Sequence, residues 1–573
     1  MNSRKILFDV LRATGLDDGP ASELSVLQPP PGGSWTNEVL NSGSVDEIKF
    51  AAELARAFQA PFEAVETDRV ERKTLGLLPS RFVFKHHVLP LGESEAAVRV
   101  ATYDVFNLVA RRLVTQQLSG RKVEWVLAPR GQLLRAIKTL YGVGAETFEE
   151  ILQTARLYDS ESRDTSQDIT GDNPEASVVK FVNQIIREAN QERATDIHVE
   201  PLENDLRIRY RIDGILHEVA VPGQLRVLQS AIISRLKVMA HMDIAERRLP
   251  QDGRINLQTH HGHIDVRVST IPTVNGESIS LRLLSRTDVQ NFGLDRLDMS
   301  ADQVRSIRAL LQQPNGILLV TGPTGSGKST SLYCFLSAIN AVSRRIITIE
   351  EPVEYRLPGI SQIEVKSEIG LTFANGLRAI LRQDPNIVMV GEIRDFETAE
   401  IAIRAAMTGH LVFSTLHTND AVSGITRLLD MGIEPFLLAS VVRCFLAQRL
   451  VRTICPDCRE ETSYLPEYLR EIGAPFAPDA KFYHGRGCDH CRQTGYRGRS
   501  AIYEICAVNE NLRKMIIRKE TGTALKQRAT LDGMDTLRQD GWRRVSQGQT
   551  TVEEVVRVTQ QDEAMVETPG EGL

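Results

Sequence analysis

The sequence predicts a multidomain α/β protein whose central domain is a parallel sheet that carries a phosphate-binding loop. Three observations support this prediction. The 573 residues of the chain correspond to about four folding units at roughly 150 residues per domain. From about residue 310 onward, short apolar runs alternate with helical patterns, and the runs end in glycine or a carboxylate. One run is followed directly by Gly-x-x-x-x-Gly-Lys-Ser, and strand, glycine-rich loop and helix are the context that a phosphate loop requires.

The composition is that of a globular protein and excludes several other classes. With 42% hydrophobic and 25% charged residues, the bulk of the chain is neither disordered nor fibrous. The net charge of -6 argues against a protein that coats DNA by electrostatics alone. No apolar run approaches the roughly 18 residues that span a bilayer, and the start of the chain turns polar before a signal-peptide core could form. We therefore expect a cytoplasmic protein.

Composition divides the first half of the chain into four parts. Residues 1–45 are rich in proline, glycine and serine, which predicts a flexible lead. Residues 46–145 mix helical and strand patterns and predict a small α+β domain without a recognisable catalytic constellation. Residues 146–175 are acidic and contain little to bury, which predicts a solvated linker. Residues 176–295 begin with a helical pattern and continue as strands, so they predict a second α+β domain.

One hairpin of this second domain places arginines on a single face. Apolar residues alternate with arginines from Leu206 to Ile212, and Asp213-Gly214 then supplies a type I′ turn. Arginines on a strand usually face solvent. When several are aligned on neighbouring strands, an anionic partner is the alternative interpretation.

The phosphate loop follows a buried-strand pattern at Ile317–Val320 and precedes a helical pattern. Its backbone N–H groups would surround phosphate oxygens, and the helix N-terminus would add positive partial charge. Lys328 would neutralise the β- and γ-phosphates of a nucleoside triphosphate, and Ser329 would bind Mg²⁺. The structural alternative is a glycine-rich surface turn. The predicted nucleotide-binding residues are Gly322, Pro323, Thr324, Gly325, Ser326, Gly327, Lys328, Ser329 and Thr330.

Three further strands are predicted to end in polar groups. The first, Arg345–Ile349, ends at Glu350-Glu351, and the second, Ile387–Val390, ends at Gly391-Glu392. The third, Leu411–Phe413, runs into Ser414, Thr415 and His417. In an open parallel sheet, ligands bind beyond the carboxyl ends of the strands, so we expect these groups to converge on the phosphate loop. A single carboxylate at a strand end is commonly a helix cap or a surface acid. Several of them beside a phosphate loop indicate catalysis.

Several motifs together resemble one family, the secretion ATPases that power type II secretion and type IV pilus assembly (GspE/PilB type). The resemblance covers about residues 176–560, and the motifs occur in the family's order. They are ATDIHVEP (194–201), RLPQDGRI (248–255), DVRVSTIPT (265–273), GPTGSGKST (322–330), ITIEEPVEY (347–355), LRQDPNIVMVGEIRDFETA (381–399), TGHLVFSTLHTNDA (408–421) and GMDTLRQDGW (533–542). The resemblance implies a PAS-like fold for 176–295, a RecA-like P-loop ATPase core at 296–450, a zinc-binding tetracysteine subdomain at 451–505 and a C-terminal helical subdomain at 506–573.

The resemblance also implies roles for the acidic residues. Glu350 lies in the family's Asp box and is expected to be the general base for the attacking water. Glu392 is expected to be the Walker B acid, which holds Mg²⁺ through a water molecule. One position departs from the family, because the box usually reads Glu-Asp-Pro and here Glu351 precedes Pro352. The carboxylate of Glu351 is one methylene further from the backbone than usual, and its role stays open.

Four basic residues match further family positions. His410 and His417 match the histidine box and are expected to sense the γ-phosphate. Arg254 and Arg267 match the arginines that reach the phosphates from the preceding domain, so closure of that domain onto the nucleotide would act as a switch. The N-terminus lacks the repeated RLG-type motif by which some relatives bind cyclic di-GMP, and that ligand is therefore not predicted.

Four of the seven cysteines predict a metal site. They form two Cys-x-x-Cys pairs, Cys455 with Cys458 and Cys488 with Cys491. Two such pairs supply the tetrahedral set of four sulfurs that Zn²⁺ prefers. Nearby histidines are not expected to be ligands, because four sulfurs already complete the coordination shell. The alternative is two unrelated reduced pairs. The family carries such a module in its secretion and pilus-extension members, which implies a structural or partner-docking role.

The sequence therefore predicts an ATP hydrolase that uses ATP, Mg²⁺ and Zn²⁺. By resemblance it is a hexameric motor, peripherally associated with the cytoplasmic face of the inner membrane, that powers type II secretion or type IV pilus assembly. Residues 46–145 would dock on an inner-membrane platform protein or adaptor, and no direct contact with nucleic acid is expected. One alternative is an ATP-driven DNA translocase with a zinc knuckle, which the basic cluster Arg513–Lys519 supports. Another is a binding scaffold with a decayed site, which the intact loop and carboxylates oppose.

Overall fold

The computed structural model describes residues 3–29, 34–94, 97–118, 120–142, 145, 174–222, 225–259, 262–285, 292–477 and 479–559. The predicted linker at 146–175 lies outside these residues except for its last two positions. The chain divides into two compact units. The first unit comprises Met1–His260 with Ile264–Leu284, and the second comprises Ser285–Leu573 with His261–His263.

The first unit begins with packed helices. They are α1 (Ser3–Ala13), α2 (Asp18–Ser25), α3 (Trp35–Asn41) and α4 (Glu47–Ala57). Leu11, Trp35 and Phe50 are buried in one apolar cluster that these helices share, and the Trp35 indole N–H donates to the Leu24 carbonyl at 2.9 Å. This differs from the flexible lead that the sequence predicts for 1–45. The composition misleads because proline and glycine are concentrated in the stretch QPPPGG, whereas apolar residues on either side follow helical spacing.

The next part of the first unit is a three-stranded sheet with helices. The strands are β1 (Val88–Glu93), β2 (Ala97–Thr102) and β3 (Lys122–Leu127), and the helices are α5 (Ser80–His86), α6 (Leu108–Gln117) and α7 (Arg130–Tyr141). β1 pairs with β2 antiparallel, and β2 pairs with β3 parallel. The apolar residues of the sheet and of α7 form one buried cluster, which is the α+β arrangement that the sequence predicts here.

The rest of the first unit is a six-stranded sheet covered by helices. The helices are α8 (Pro174–Gln191) and α9 (Gln229–Met239); the strands are β4 (Ala194–Pro201), β5 (Leu206–Ile212), β6 (Ile215–Val219), β7 (Gln251–Thr259), β8 (Gly262–Thr273) and β9 (Gly276–Ser285). The strand order is β6-β5-β4-β9-β8-β7. Apolar residues of α8 and α9 pack against the inward-facing residues of the strands in one cluster.

The predicted hairpin of this sheet is present. Asp213 and Gly214 have φ angles of 49° and 87°, as a type I′ turn requires. Two arginines of β5 have an anionic partner within the chain. Arg207 pairs with Glu200 at 2.8 Å, and Arg209 pairs with the same carboxylate at 2.5 Å.

The second unit is built on a seven-stranded sheet. Its strands are β10 (Gly316–Thr321), β11 (Ile346–Glu350), β12 (Ser361–Glu364), β13 (Ile387–Val390), β14 (Leu411–Leu416), β15 (Val442–Ile454) and β18 (Tyr496–Ala507). The order is β12-β11-β13-β14-β10-β15-β18, and all neighbours are parallel except β15 and β18. The helices are α10 (Ala301–Leu311), α11 (Lys328–Ile339), α12 (Phe373–Ile380), α13 (Phe396–Met407), α14 (Ser423–Asp430) and α15 (Pro435–Val441).

Helices cover both faces of this sheet. Along β10, Ile317 and Leu319 point into one apolar cluster, whereas Leu318 and Val320 point into another. A parallel strand buried on both faces reads as a continuous apolar run, which explains why the sequence predicts these strands well. Their carboxyl ends lie at one edge of the sheet, and the phosphate loop follows β10 at that edge.

The last described elements of the chain pack against the final strands of the sheet. The remaining elements are α16 (Pro466–Glu471), β16 (Arg459–Thr462), β17 (Phe482–Gly485), α17 (Glu510–Ile517), α18 (Gly522–Leu531), α19 (Leu537–Ser546) and α20 (Val552–Val558). Phe482 of β17 shares a buried cluster with Trp542, Val545 and Val555 of the final helices. Within the residues that the structure describes, no helix combines the length and the apolar character needed to cross a bilayer.

Candidate functional sites

The phosphate loop connects the end of β10 to the start of α11. Gly322, Gly325 and Gly327 have φ angles of 148°, 79° and 87°, a range that side chains with a Cβ rarely adopt. A Cβ on Gly322 would also lie 2.7 Å from the Gln448 carbonyl oxygen. The loop therefore requires glycine for its backbone shape and for its close approach to β15.

Lys328 is buried at the base of the loop. Its ammonium group donates to the carbonyl oxygens of Gly322 at 2.7 Å and Pro323 at 3.0 Å. Burial lowers the pKa of Lys328 to about 8, although the charge of Glu392 acts in the opposite direction. Ser329 lies in the first turn of α11 and is exposed. The side chain of Lys328 thus holds the loop with bonds that a phosphate group can replace.

Glu350 is the last residue of β11 and is only 4% exposed. One carboxylate oxygen accepts from the Tyr333 hydroxyl; the other accepts from Thr348 at 2.5 Å and from Gln362 at 3.1 Å. Burial raises the pKa of Glu350, and these three donors act against that rise. Tyr333 is not singled out by the sequence. The sequence feature that could have indicated Tyr333 is its position on α11, the helix that begins at Lys328.

Glu392 follows β13 and is held between two basic side chains. His417 lies 3.1 Å from one carboxylate oxygen, and Arg394 contacts the other. The guanidinium of Arg394 also pairs with Glu351 at 3.1 Å. The sequence does not single out Arg394, although it lies within the motif GEIRD. Glu351 thus turns toward an exposed ion-pair network, whereas its neighbour Glu350 is buried.

The structure does not bring His410 to the phosphate loop. His410 precedes β14, and its carbonyl oxygen accepts from the Gly316 N–H at the amino end of β10. Its ring nitrogen Nδ1 lies 2.8 Å from the Ala405 carbonyl oxygen. The strand β14 at about 3.3 Å per residue separates His410 from the loop edge by roughly 20 Å. The expected contact of His410 with a γ-phosphate is therefore not available within one chain, whereas His417 lies at the correct edge.

Arg254 and Arg267 lie in the first unit, whereas the phosphate loop lies in the second. Arg254 is exposed on β7, and Arg267 is half-buried on β8. Their expected role at the nucleotide stays a prediction.

The four predicted cysteines form one cluster. The Sγ–Sγ distance is 3.7 Å for Cys455–Cys488, for Cys458–Cys491 and for Cys488–Cys491, and the four sulfurs lie within 4.8 Å of one another. A tetrahedral Zn²⁺ with bonds of about 2.3 Å requires sulfurs about 3.8 Å apart, so the donor set fits this ion. The N–H groups of Cys488 and Gly495 point at the Cys491 sulfur, at 3.1 and 3.3 Å, and favour its thiolate.

The neighbouring histidines have other partners. His490 pairs with Asp457 at 2.9 Å, and His484 pairs with Glu460 at 3.1 Å. The two sides of the second knuckle approach closely, because a Cβ on Gly485 would lie 2.1 Å from the Gly495 carbonyl oxygen. The first knuckle joins them there, since the Cys455 N–H donates to the same oxygen at 2.9 Å. The cluster joins the end of β15 to the start of β18.

Comparison with known proteins covers both units. Residues 172–557 match the family described as "Type II/IV secretion system protein", and residues 58–147 match the MshEN domain. The type IV pilus assembly ATPase PilB of Myxococcus xanthus is 41% identical over 91% of this chain and 93% of its own length. The type II secretion system protein E of Aeromonas hydrophila is 46% identical over 73% of this chain and 87% of its own length.

A solved structure supports the fold. The ATPase DotB of Yersinia pseudotuberculosis matches with a TM-score of 0.50 and 19% identity, over 70% of this chain and 97% of its own; this likeness shows the fold alone. The predicted fold class is confirmed, as is the resemblance on which part of it rests. The chain belongs to the type II/IV secretion system protein family and is a P-loop ATPase.

Proposed function

We propose that this ATPase is the motor that extends a filament of pilin-like subunits, in a type II secretion system or a type IV pilus. The relatives named above belong to one or the other machine. The observation that carries the proposal is the shared edge of the core sheet. There, inside the region that the family covers, the phosphate loop, Glu350 and Glu392 lie at the carboxyl ends of the parallel strands β10, β11 and β13.

The loop residues Gly322–Thr330 would cradle the triphosphate. Lys328 would exchange its two carbonyl partners for oxygens of the β- and γ-phosphates. Bound Mg²⁺ would neutralise charge that develops on the transferring phosphoryl group, with Ser329 and, through water, Glu392 as its protein ligands. His417 would sense the γ-phosphate through its contact with Glu392.

Glu350 would accept the proton of the attacking water. The oxygen of that water forms a bond to the γ-phosphorus, and the bond from phosphorus to the bridging oxygen breaks to release ADP and phosphate. A buried carboxylate is protonated at neutral pH unless donors stabilise its charge. The hydroxyls of Tyr333 and Thr348 and the amide of Gln362 supply that stabilisation.

Arg254 and Arg267 would act on the nucleotide from the domain at 176–295, when that domain closes on the core at 296–450. We propose a homo-hexamer, peripheral at the cytoplasmic face of the inner membrane. Residues 46–145 would dock on a platform protein or adaptor there, which fits their match to the MshEN domain. The DNA-translocase alternative finds no support among the relatives named above, which are secretion and pilus proteins.

The cysteine cluster would hold one structural Zn²⁺. All four positions are filled by sulfur, which leaves none for a substrate or water, as in closed structural sites. The subdomain at 451–505 would join the core to the helical subdomain at 506–573.

The test uses ATP hydrolysis by the purified full chain. We expect Glu392→Gln to reduce turnover at least about 100-fold. We also expect a fragment of the inner-membrane platform protein or acidic phospholipid vesicles to stimulate the unmodified chain, and DNA to have no effect. Normal turnover by Glu392→Gln would contradict the site, and stimulation by DNA alone would contradict the proposed machine.

A further inference from the structure

Tyr333 connects the phosphate loop to the residue that is proposed to be the general base. It lies on α11, five residues after Lys328, and its side chain is fully buried. Its hydroxyl donates to Glu350 and accepts from the backbone N–H of Glu354 at 3.2 Å. The same helix therefore begins at the phosphate-binding lysine and, about one and a half turns later, holds the carboxylate.

The ring of Tyr333 is fixed by its neighbours. Phe292 and Tyr355 pack edge-on against it, with ring centroids 5.6 and 6.2 Å away. A fixed ring holds its hydroxyl at one point, and the carboxylate oxygen of Glu350 lies at that point. Phenylalanine would pack in the same space, so what tyrosine adds at this position is the hydroxyl that contacts Glu350.

The groups around Glu350 make its ionisation depend on the Tyr333 hydroxyl. The charge of the Glu354 carboxylate disfavours ionisation of Glu350, whereas the Tyr333 hydroxyl favours it. Thr348 and Gln362 both donate to one oxygen of Glu350, and Tyr333 donates to the other. Removing the Tyr333 hydroxyl therefore leaves one oxygen of a buried carboxylate without its donor.

We propose that Tyr333 is a positioning residue for ATP hydrolysis. Its hydroxyl holds the Glu350 carboxylate in its ionised form and at a set distance from the phosphate loop. The proposal rests on the role of Glu350 proposed above. If Tyr333 only packs the core, loss of its hydroxyl changes stability and leaves the pH dependence of hydrolysis as it was.

The experiment compares Tyr333→Phe with Tyr503→Phe in the full chain. Tyr503 is also fully buried, and its hydroxyl donates to the Leu297 carbonyl oxygen at 2.8 Å, away from Glu350. We expect the acid limb of the kcat–pH profile of Tyr333→Phe to move about one pH unit upward, because a charge-assisted hydrogen bond is lost. The KM for ATP should stay within about twofold, and the profile of Tyr503→Phe should match the unmodified chain.

Two further measurements keep the outcomes distinct. Placing 3,5-difluorotyrosine at position 333 keeps the packing and strengthens the donor, so the acid limb should move downward; this variant also serves if Tyr333→Phe does not fold. Glu350→Gln tests the base itself. If Glu350→Gln abolishes hydrolysis but both changes at Tyr333 leave the profile unmoved, the inference about Tyr333 is wrong. If Glu350→Gln keeps normal kcat, the proposed role of Glu350 fails instead.

Discussion

The phosphate-loop edge and the cysteine cluster are assembled from the chain in opposite ways. At the edge, the side chains come from separate strand ends between Gly322 and His417, and the order of the sheet brings them together. In the cluster, two short knuckles at the ends of the paired strands β15 and β18 supply all four sulfurs. The edge depends on long-range packing, and the cluster depends on local turns.

The two regions also differ in what their polar groups contact. Lys328, Glu350 and Glu392 are already bonded to groups of their own chain. Binding a nucleotide there exchanges one set of partners for another, so the net free energy per bond is modest. The four sulfurs have the spacing of a metal shell. Polar groups that can exchange partners suit a reaction cycle, whereas four sulfurs that surround one metal ion suit a permanent structural link.

Loss of the metal should have the largest effect. We expect about one zinc ion per chain, and Cys458→Ser should lose most of it. The free energy of unfolding of the C-terminal region should then fall by on the order of 5 kcal/mol, because the metal's binding free energy contributes to folding. Elemental analysis and thermal unfolding measure the two quantities.

The matched control is Cys506→Ala, which removes a buried thiol outside the cluster. This variant should keep its zinc, even where its own packing loss lowers stability. Protein purified without chelator that contains no zinc, or a Cys458→Ser variant with full zinc content, would show that the cluster is not the metal site.

Lys328→Ala should have the next largest effect, and only at the edge. Loss of one preorganised cation from the transition state typically costs about 100- to 1000-fold in kcat. The zinc content should not change, because the cysteine cluster is a separate assembly. Lys514→Ala, at an exposed lysine of α17, should keep kcat within about twofold. Near-normal hydrolysis by Lys328→Ala would contradict the proposed role of the phosphate loop in ATP hydrolysis.

Local patterns in the sequence account for the strands and for the cysteine cluster. The strand predicted at Ile387–Val390 has those bounds in the structure, and the one predicted at Ile317–Val320 is one residue longer at each end. Such strands are continuous apolar runs bounded by glycine or polar residues, so they can be recognised without tertiary information. Each Cys-x-x-Cys pair is likewise recognisable from its spacing alone.

Such local patterns do not predict contacts that depend on the arrangement of the whole sheet. His410 and His417 lie seven positions apart in the sequence, but a full strand separates them, so they lie at opposite edges. Tyr333 meets Glu350 because α11 packs beside β11, and Arg394 meets Glu351 because β11 and β13 are neighbours. No local period predicts which side chains of different strands will touch.

The pH dependence of ATP binding tests the burial of Lys328. Burial lowers its pKa to about 8, and the phosphates require the protonated form. The KM for ATP should therefore rise as the pH increases through 8, by about tenfold between pH 7 and pH 9. Lys328→Arg keeps its charge over this range, so whatever its absolute KM, the slope should disappear. A KM for the unmodified chain that stays flat from pH 7 to pH 9 would contradict the inferred environment of this lysine.

Arg394→Ala should have the smallest effect. Arg394 contacts a carboxylate oxygen of Glu392 and is 61% exposed, so the pair contributes at most about 1 kcal/mol. Its removal frees that oxygen for hydrated Mg²⁺. The Mg²⁺ concentration for half-maximal hydrolysis should therefore fall about two- to fivefold at low ionic strength, and less at high salt because exposed charges are screened.

The control for this change is Arg404→Ala, an arginine of similar exposure that pairs with Glu400 on α13. It should leave the Mg²⁺ dependence as it is, since neither residue of that pair lies at the loop edge. A higher Mg²⁺ requirement in Arg394→Ala would reverse the assignment: Arg394 would then orient Glu392 toward the metal instead of competing with it. In that case Glu351, which pairs with the same guanidinium, would share this orienting role, and Glu351→Ala should raise the Mg²⁺ requirement in the same direction.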